Sequence, residues 1–141
     1  MKYLQDRASA ISPKEDYENL LNSKKSLRIK LGVDPTAPDV TLGWYAILRA
    51  LRKFQEYGHT AVLILGEFTA QVGDPSGKSE TRSKLESDEI NKNSKGVLPI
   101  IENILHKENL EIVSNNDWLS KLINSDLVNL DSSTTLAKML E

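Results

Sequence analysis

An unbroken apolar run decides the fold of this chain: Ala61-Val62-Leu63-Ile64-Leu65. Polar Thr60 precedes the run and Gly66 follows it, and the run is too short for an ordinary helix. It therefore predicts a strand that is buried on both faces. Upstream, residues 27–33 alternate apolar with polar side chains, which predicts a second strand near an edge of the sheet or beside a site.

Between these two strands, residues 42–57 place apolar side chains at three- and four-residue spacing, up to Gly58. This spacing predicts an amphipathic helix with a glycine at its end. A strand, a helix and a strand in that order form a parallel unit. Residues 97–106 show a further helical pattern, and residues 110–114 read as a third strand. The predicted class is α/β, a three-stranded parallel sheet with flanking helices.

A helix before the first strand is predicted from residue 13 to about residue 21. Ser12 stands at the capping position, Pro13 at the first helical position and Glu15 where a capping box would place it. After the third strand, Asn116 and Asp117 are predicted to cap a helix over residues 118–122.

Three other segments have weaker patterns. Residues 34–39 and residues 67–82 read as loops because of their prolines and glycines. Residues 83–93 are strongly polar, and no single structure is assigned to them. Residues 132–141 predict the beginning of another helix.

Composition narrows the function classes. With 18 Lys and Arg against 20 Asp and Glu, the net charge is −2, so no general positive field is available to hold a nucleic-acid backbone. The chain has no cysteine, which excludes disulfides and thiolate metal sites. No stretch approaches the roughly 20 apolar residues of a membrane span, and the first residues lack the apolar run of a secretory signal. One domain in a reducing cytoplasm is the expectation, with no contact to membranes.

Ligands of parallel α/β sheets bind beyond the carboxyl ends of the strands, where both unusual loops lie. The first loop offers the carboxylate of Asp34 and the hydroxyl of Thr36 on a backbone stiffened by Pro35 and Pro38. These groups could serve a ligand, or they could make local hydrogen bonds within a turn.

The second loop has the glycines and the lysine of a phosphate-binding loop but not the spacing. Three residues separate Gly73 from Gly77, whereas a Walker A loop has four. A P-loop enzyme is therefore disfavoured. Lys78 and Arg82 could close over a polyphosphate, or they could be ordinary solvated charges.

The two histidines and one tryptophan are further candidates for site residues. His59 and His106 have no metal-ligand spacing around them, and structural roles are predicted for both. Trp44 opens a helix at the presumed ligand edge, where it could anchor the core or stack on a ring.

Three pieces of sequence together resemble the N-terminal catalytic half of bacterial tyrosyl-tRNA synthetases, which are class I aminoacyl-tRNA synthetases. The pieces are Lys30-Leu31-Gly32-Val33-Asp34-Pro35-Thr36-Ala37-Pro38-Asp39, then Leu42-Gly43, then Gly73-Asp74-Pro75-Ser76-Gly77-Lys78-Ser79-Glu80-Thr81-Arg82. Weaker likeness continues through residues 116–122 and 135–141, which look like the family's connecting region. The resemblance implies a partial Rossmann-like (HUP-type) nucleotide-binding fold.

The resemblance also implies activation of tyrosine by ATP, accompanied by Mg²⁺, to tyrosyl-adenylate and pyrophosphate, followed by transfer to tRNA. It implies no metal held by the protein. Matched positions place Gly32 and Asp34 beside the substrate and adenylate, and Thr69 and Asp74 beside the tyrosine.

Three further positions match the phosphate side of that site. Thr36 is expected to meet the polyphosphate, while Lys78 and Arg82 are expected to hold the leaving pyrophosphate in the transition state. Cations are important there because catalysis of this reaction depends on positioning and on charge stabilisation.

The chain departs from the family at two places. The HIGH signature, which binds ATP in the family, here reads Thr41-Leu42-Gly43-Trp44, so both histidines are missing. The resemblance implies that Trp44 would intrude on the nucleoside position. By analogy with an oxyanion donor, one such loss costs about 2.7–4 kcal/mol, or about 10²–10³ in rate. The chain also stops before the family's second half, which carries the KMSKS loop and the tRNA-binding region.

We therefore expect three segments: an N-terminal helical segment (residues 1–26), the N-terminal half of a Rossmann-like catalytic domain (27–115) and the start of the connecting, dimer-interface region (116–141). One hypothesis is a synthetase half that is inactive alone and does not bind tRNA. A second is a non-catalytic module that dimerises, or that pairs with a complementary half or a complete synthetase through unpaired strand edges. A nucleotide-binding enzyme of another class is disfavoured by the loop spacing.

Overall fold

Helices and strands alternate along the chain in a computed structural model that describes residues 5–23, 25–72 and 85–122. The elements are helix α1 (Lys14–Asn22), strand β1 (Arg28–Val33), helix α2 (Leu42–Glu56), strand β2 (Thr60–Leu65), helix α3 (Thr69–Val72), helix α4 (Ser87–Ile104), a 3₁₀ turn (Lys107–Asn109), strand β3 (Leu110–Ser114) and helix α5 (Asn116–Leu119).

The three strands form one parallel sheet in the order β1-β2-β3, as the sequence predicts. Val33 of β1 lies opposite Leu65 of β2, and Leu65 lies opposite Ser114 of β3. The carboxyl ends of all three strands are therefore level with one another. The connecting segments that leave these ends begin at the same edge of the sheet.

The hydrophobic core lies between one face of the sheet and helices α2 and α4. Leu63, at the centre of β2, is 0% exposed, and it shares the core with side chains from both helices. The buried members are Val33, Leu48, Leu51, Ala61, Leu63, Leu65, Val97, Ile101 and Leu105. On the opposite face, Arg28, Lys30 and Gly32 of β1 are exposed. The polar alternation of β1 thus reflects one covered face and one open face.

Side-chain hydrogen bonds join the last turn of helix α2 to the segment between helix α4 and strand β3. The buried side chain of Gln55 donates to the carbonyl oxygens of His106 and Asn109 and accepts from the His106 amide, all at 2.9 Å. Nδ1 of His59 accepts from the Leu27 amide at 3.3 Å. In the described structure, His59 thus makes a structural contact by its side chain, and His106 makes its contacts to Gln55 by its backbone.

Helix α4 differs most from the sequence prediction. The sequence predicts a helix over residues 97–106 and assigns no structure to residues 83–93, yet α4 begins at Ser87 and ends at Ile104. The polar first half is helical because one stripe of it is buried, from Ile90 through Asn93 and Ser94 to Val97. Because two of these buried residues are polar, the sequence does not show the apolar face that would predict an amphipathic helix here.

Two smaller features also differ from the sequence prediction. Pro13, not Ser12, is the N-cap of α1, and no side chain caps this helix. The extended backbone of Pro13 places it before the first helical residue, so Ser12 and Glu15 are out of register for a capping box. Residues 67–82 are not all loop, because α3 forms over Thr69–Val72.

Helix α5 begins at Asn116 and ends at Leu119, so the predicted helix over residues 118–122 is misplaced. Asn116 does not cap it by its side chain. Asn115 is the N-cap residue, and its side chain bonds to the loop after β2 instead. The expected helix at residues 132–141 lies outside the described residues. None of the helices that the structure describes is both long enough and apolar enough to span a membrane.

Candidate functional site

The candidate site lies at the carboxyl edge of the sheet. There the backbone hydrogen bonds between strands continue for one residue past the ends of β2 and β3. The amide of Gly66 donates to the carbonyl of Val33 at 2.8 Å, and the amide of Asn115 donates to the carbonyl of Leu65 at 2.9 Å. These bonds hold Asp34, Gly66 and Asn115 side by side. The site is thus built on backbone that the sheet itself keeps rigid.

Asp34, Thr69 and Asn115 form a chain of hydrogen bonds across this edge. The Thr69 hydroxyl donates to Oδ1 of Asp34 at 2.8 Å, and Nδ2 of Asn115 donates to the Thr69 hydroxyl at 3.0 Å. A hydroxyl has a single proton, so the amide of Asn115 leaves Thr69 free to direct its proton to the carboxylate. Thr69 also lies 3.2 Å from the Gly66 carbonyl, a competing acceptor.

Gly66 makes the approach of Asp34 to Thr69 possible. A Cβ atom at this position would lie 1.7 Å from Oδ1 of Asp34 and 2.7 Å from Oγ1 of Thr69. No side chain fits that space while the carboxylate and hydroxyl occupy it. Glycine is therefore required here for close packing and not for an unusual backbone conformation.

Asn115 anchors a second strand end to the same loop. Oδ1 of Asn115 accepts from the Phe68 amide at 2.8 Å, and the residue is 7% exposed. Next to it, the Ser114 hydroxyl donates to the carboxylate of Glu67. The loop after β2 is thus fixed to the end of β3 by two side-chain contacts.

The loop after β1 turns sharply and buries its first proline. The Thr36 amide donates to the Asp34 carbonyl at 2.8 Å, and the side chain of Pro35 is fully buried. Nδ2 of Asn93, on α4, donates to the Pro35 carbonyl at 3.1 Å. Asp34 and Thr36 remain exposed on either side of Pro35, so both can meet a ligand.

Gly32 leaves open space at the edge of the site. It is exposed on the uncovered face of β1, two residues before Asp34, and a Cβ atom there would have no neighbour within 4 Å. The fold therefore does not require glycine at this position. A bound ligand beside β1 would give a reason for it.

The Thr41–Trp44 segment forms the start of helix α2. Oγ1 of Thr41 accepts from the Trp44 amide at 3.3 Å, which makes Thr41 a conventional N-cap. Trp44 is half-buried and packs against the hydrophobic core. This contact supports the interpretation of Trp44 as a core anchor.

The described residues bring together part of the predicted site. Asp34 and Thr69 are in contact. Gly32 lies near the end of β1, and Thr36 lies with Asp34 in the loop that follows this strand. Asp74, Lys78 and Arg82 lie outside the described residues, so their placement stays a prediction. The sequence analysis did not identify Gly66, Asn93 or Asn115 as site residues. Asn93 could have been identified, because it lies at helical spacing between the apolar residues Ile90, Val97 and Ile101.

Comparison with known proteins shows the family to which this chain belongs. The family model described as tRNA synthetases class I (W and Y) matches residues 22–141. The tyrosine–tRNA ligase of Carboxydothermus hydrogenoformans is 46% identical over 127 residues, which are 90% of this chain and 31% of that protein. The tyrosine–tRNA ligase of Thermotoga maritima is 41% identical over 141 residues, 100% of this chain and 35% of that protein.

Solved structures show the same fold. A C-terminally truncated mitochondrial tyrosyl-tRNA synthetase from Coccidioides posadasii has a TM-score of 0.73 at 23% identity, covering 99% of this chain and 41% of that one. The corresponding Aspergillus nidulans structure has a TM-score of 0.67 at 24% identity, covering 86% and 39%. The chain spans about a third of the length of the curated relatives it matches. It belongs to the class I tRNA synthetase family of the tryptophan and tyrosine enzymes, in which it corresponds to an N-terminal fragment of a tyrosyl-tRNA synthetase with a Rossmann-like fold.

Proposed function

We propose that this chain forms the tyrosine- and ATP-binding half of a tyrosine-activating site, and that these 141 residues alone do not catalyse the reaction. The observation that carries the proposal is the Asp34–Thr69 pair over Gly66 at the carboxyl edge of the sheet. The relatives' names supply the amino acid, because they are tyrosine–tRNA ligases.

The chemistry of the pair suits a substrate that donates hydrogen bonds. One oxygen of Asp34 accepts from Thr69, and in the part of the chain that the structure describes the second oxygen has no partner. A carboxylate offers only acceptors, so this oxygen fits the ammonium group of an amino acid or the hydroxyls of a ribose. Gly32 leaves room for that ligand beside the strand.

In the proposed reaction, an oxygen of the tyrosine carboxylate attacks the α-phosphorus of ATP. The new carboxyl–phosphate bond forms as the bond from the α-phosphorus to the bridging oxygen breaks, and pyrophosphate leaves with that electron pair. Magnesium enters with ATP as part of the substrate. We propose that Thr36, Lys78 and Arg82 contact the polyphosphate, and that Asp74 lies beside the tyrosine.

The proposed inactivity rests on the nucleotide side of the site. Thr41 uses its hydroxyl to cap α2, and Trp44 occupies the position of the second HIGH histidine. Neither side chain can supply the charge stabilisation of an imidazolium.

We expect the purified chain to show no tyrosine-dependent exchange of pyrophosphate into ATP. The loss of one stabilising group alone predicts a rate lowered by about 10²–10³. The assay follows labelled pyrophosphate with tyrosine present and absent, beside a complete tyrosine–tRNA ligase as the positive control. Exchange that requires tyrosine would contradict the proposed inactivity.

One observation favours a second function, a module that binds another polypeptide. Helices α2 and α4 both pack on one face of the sheet, and β1 and β3 are its edges in the described structure. Such edges can accept a further strand. The occupant would be a second copy, a complementary segment or a complete synthetase. A module with only this function would bind neither tyrosine nor ATP, which separates the two proposals.

A further inference from the structure

The first half of helix α4 holds the loop that carries Asp34 and Thr36. Asn93 is 4% exposed, and its side-chain amide donates to the Pro35 carbonyl at 3.1 Å in a buried contact. A buried carbonyl without a partner is costly, so the backbone of this loop depends on the amide. Among the described residues, Asn93 is the group seen to satisfy it.

A second contact lies one helical turn further along α4. A Cβ atom at Gly96 would lie 2.9 Å from Cβ, 3.0 Å from the carbonyl oxygen and 3.2 Å from Cα of Pro38. Because residues three apart share a helix face, Asn93 and Gly96 meet the same loop. The helix thus fixes the loop at Pro35 and again at Pro38.

These two contacts enclose the ligand-facing part of the loop. Asp34 directly precedes Pro35, and Thr36 lies between the two anchored prolines. A shift of the Pro35 carbonyl would move the Asp34 carboxylate relative to Thr69, 2.8 Å away, and would move the Thr36 hydroxyl with it. Binding groups that must be placed within a fraction of an ångström depend on such support.

We propose that Asn93 and Gly96 are positioning residues, which orient Asp34 and Thr36 for the ligand without touching it. This inference rests on the proposed function for its ligand. The ordering of the loop by helix α4 does not depend on the proposed function, because it can be measured without any ligand.

Asn109 offers a matched control at the opposite end of the sheet. Its half-buried side-chain amide donates to two backbone carbonyls, those of His59 at 2.8 Å and Gln55 at 3.4 Å. Replacing it with alanine removes side-chain-to-backbone bonds far from the carboxyl edge. An effect on binding that came from lost stability alone would therefore also appear in Asn109→Ala, in proportion to the stability that this variant loses.

The experiment compares both variants of the full chain with the unchanged protein. Calorimetry measures the affinity for a non-hydrolysable tyrosyl-adenylate analogue, and NMR measures exchange of the Thr36 amide proton. For Asn93→Ala we expect binding weakened by about tenfold and exchange accelerated by about threefold or more, as for loss of one hydrogen bond. Asn109→Ala is expected to change neither.

Gly96→Ala provides a second variant in case Asn93→Ala does not fold. Its Cβ displaces Pro38, so it is expected to weaken binding and to accelerate Thr36 exchange in the same direction. Equal effects of the Asn93 and Asn109 variants, or unchanged Thr36 exchange in both α4 variants, would overturn the inference. If the unchanged protein binds no analogue, the proposed function fails, and the exchange rates alone decide whether α4 positions the loop.

Discussion

Gly66→Ala is expected to weaken binding of a tyrosyl-adenylate analogue by about 10- to 100-fold, the loss of a charge-assisted hydrogen bond. The added Cβ would lie 1.7 Å from Oδ1 and 2.8 Å from Cγ of Asp34. Asp34 must therefore swing away from Thr69, which breaks the pair on which the proposed site depends. Calorimetric titration of the variant and of the unchanged protein measures the effect.

The same substitution is expected to lower the free energy of unfolding by about 1–3 kcal/mol, the usual cost of overpacking. The Asp34→Ala background is the control, because it removes two of the three atoms that the new Cβ would meet. In that background the cost of Gly66→Ala should be clearly smaller, since contacting residues are not additive. Equal costs in both backgrounds would show that Asp34 does not lie over Gly66.

Leu63→Ala is expected to lower the free energy of unfolding by about 2–5 kcal/mol, measured by urea denaturation. Leu63 is 0% exposed at the centre of β2, and it lies in the core between the sheet and helices α2 and α4. Because both helices pack on this strand, the cavity cannot close by the movement of one element.

Ile112→Ala is the matched control for the core prediction. Ile112 lies opposite Leu63 in the sheet register, on edge strand β3, and it is 36% exposed. Its truncation removes less buried surface and should cost clearly less. A similar cost for both substitutions would contradict the assignment of β2 as the central, buried strand.

Much of this fold could be predicted because its local patterns and its burial agree. The run at residues 61–65 is apolar at every position and lies at the centre of the sheet, where four of its five residues are buried. Ile64 is only half-buried, so the prediction of burial on both faces was too strong. The first half of α4 could not be predicted, because Asn93 and Ser94 lie on its buried stripe. The buried Asn93 donates a hydrogen bond to the Pro35 carbonyl, which is 58 residues away in sequence. A local sequence pattern cannot indicate such a distant partner.

The candidate site likewise has residues that the sequence could indicate and residues that it could not. Asp34 and Thr69 could be found because their loops match a family, but their contact spans 35 residues and depends on the register of β1 and β2. Gly66 and Asn115 could not be found because their roles are purely spatial. Gly66 reads as the end of a strand, and Asn115 reads as part of a polar turn before a helix.

We propose that the carboxyl edge of this sheet binds tyrosine and the nucleotide. Calorimetric titration of the tyrosyl-adenylate analogue into the unchanged protein and into Gly32→Ala tests this proposal. Gly32 has no neighbour within 4 Å of a Cβ position, so the variant should fold with an unchanged or higher free energy of unfolding. We expect saturable binding to the unchanged protein and binding weakened by about tenfold or more in Gly32→Ala, because the added methyl group takes up ligand space. No binding to the unchanged protein, or equal affinity in the two proteins, would contradict it.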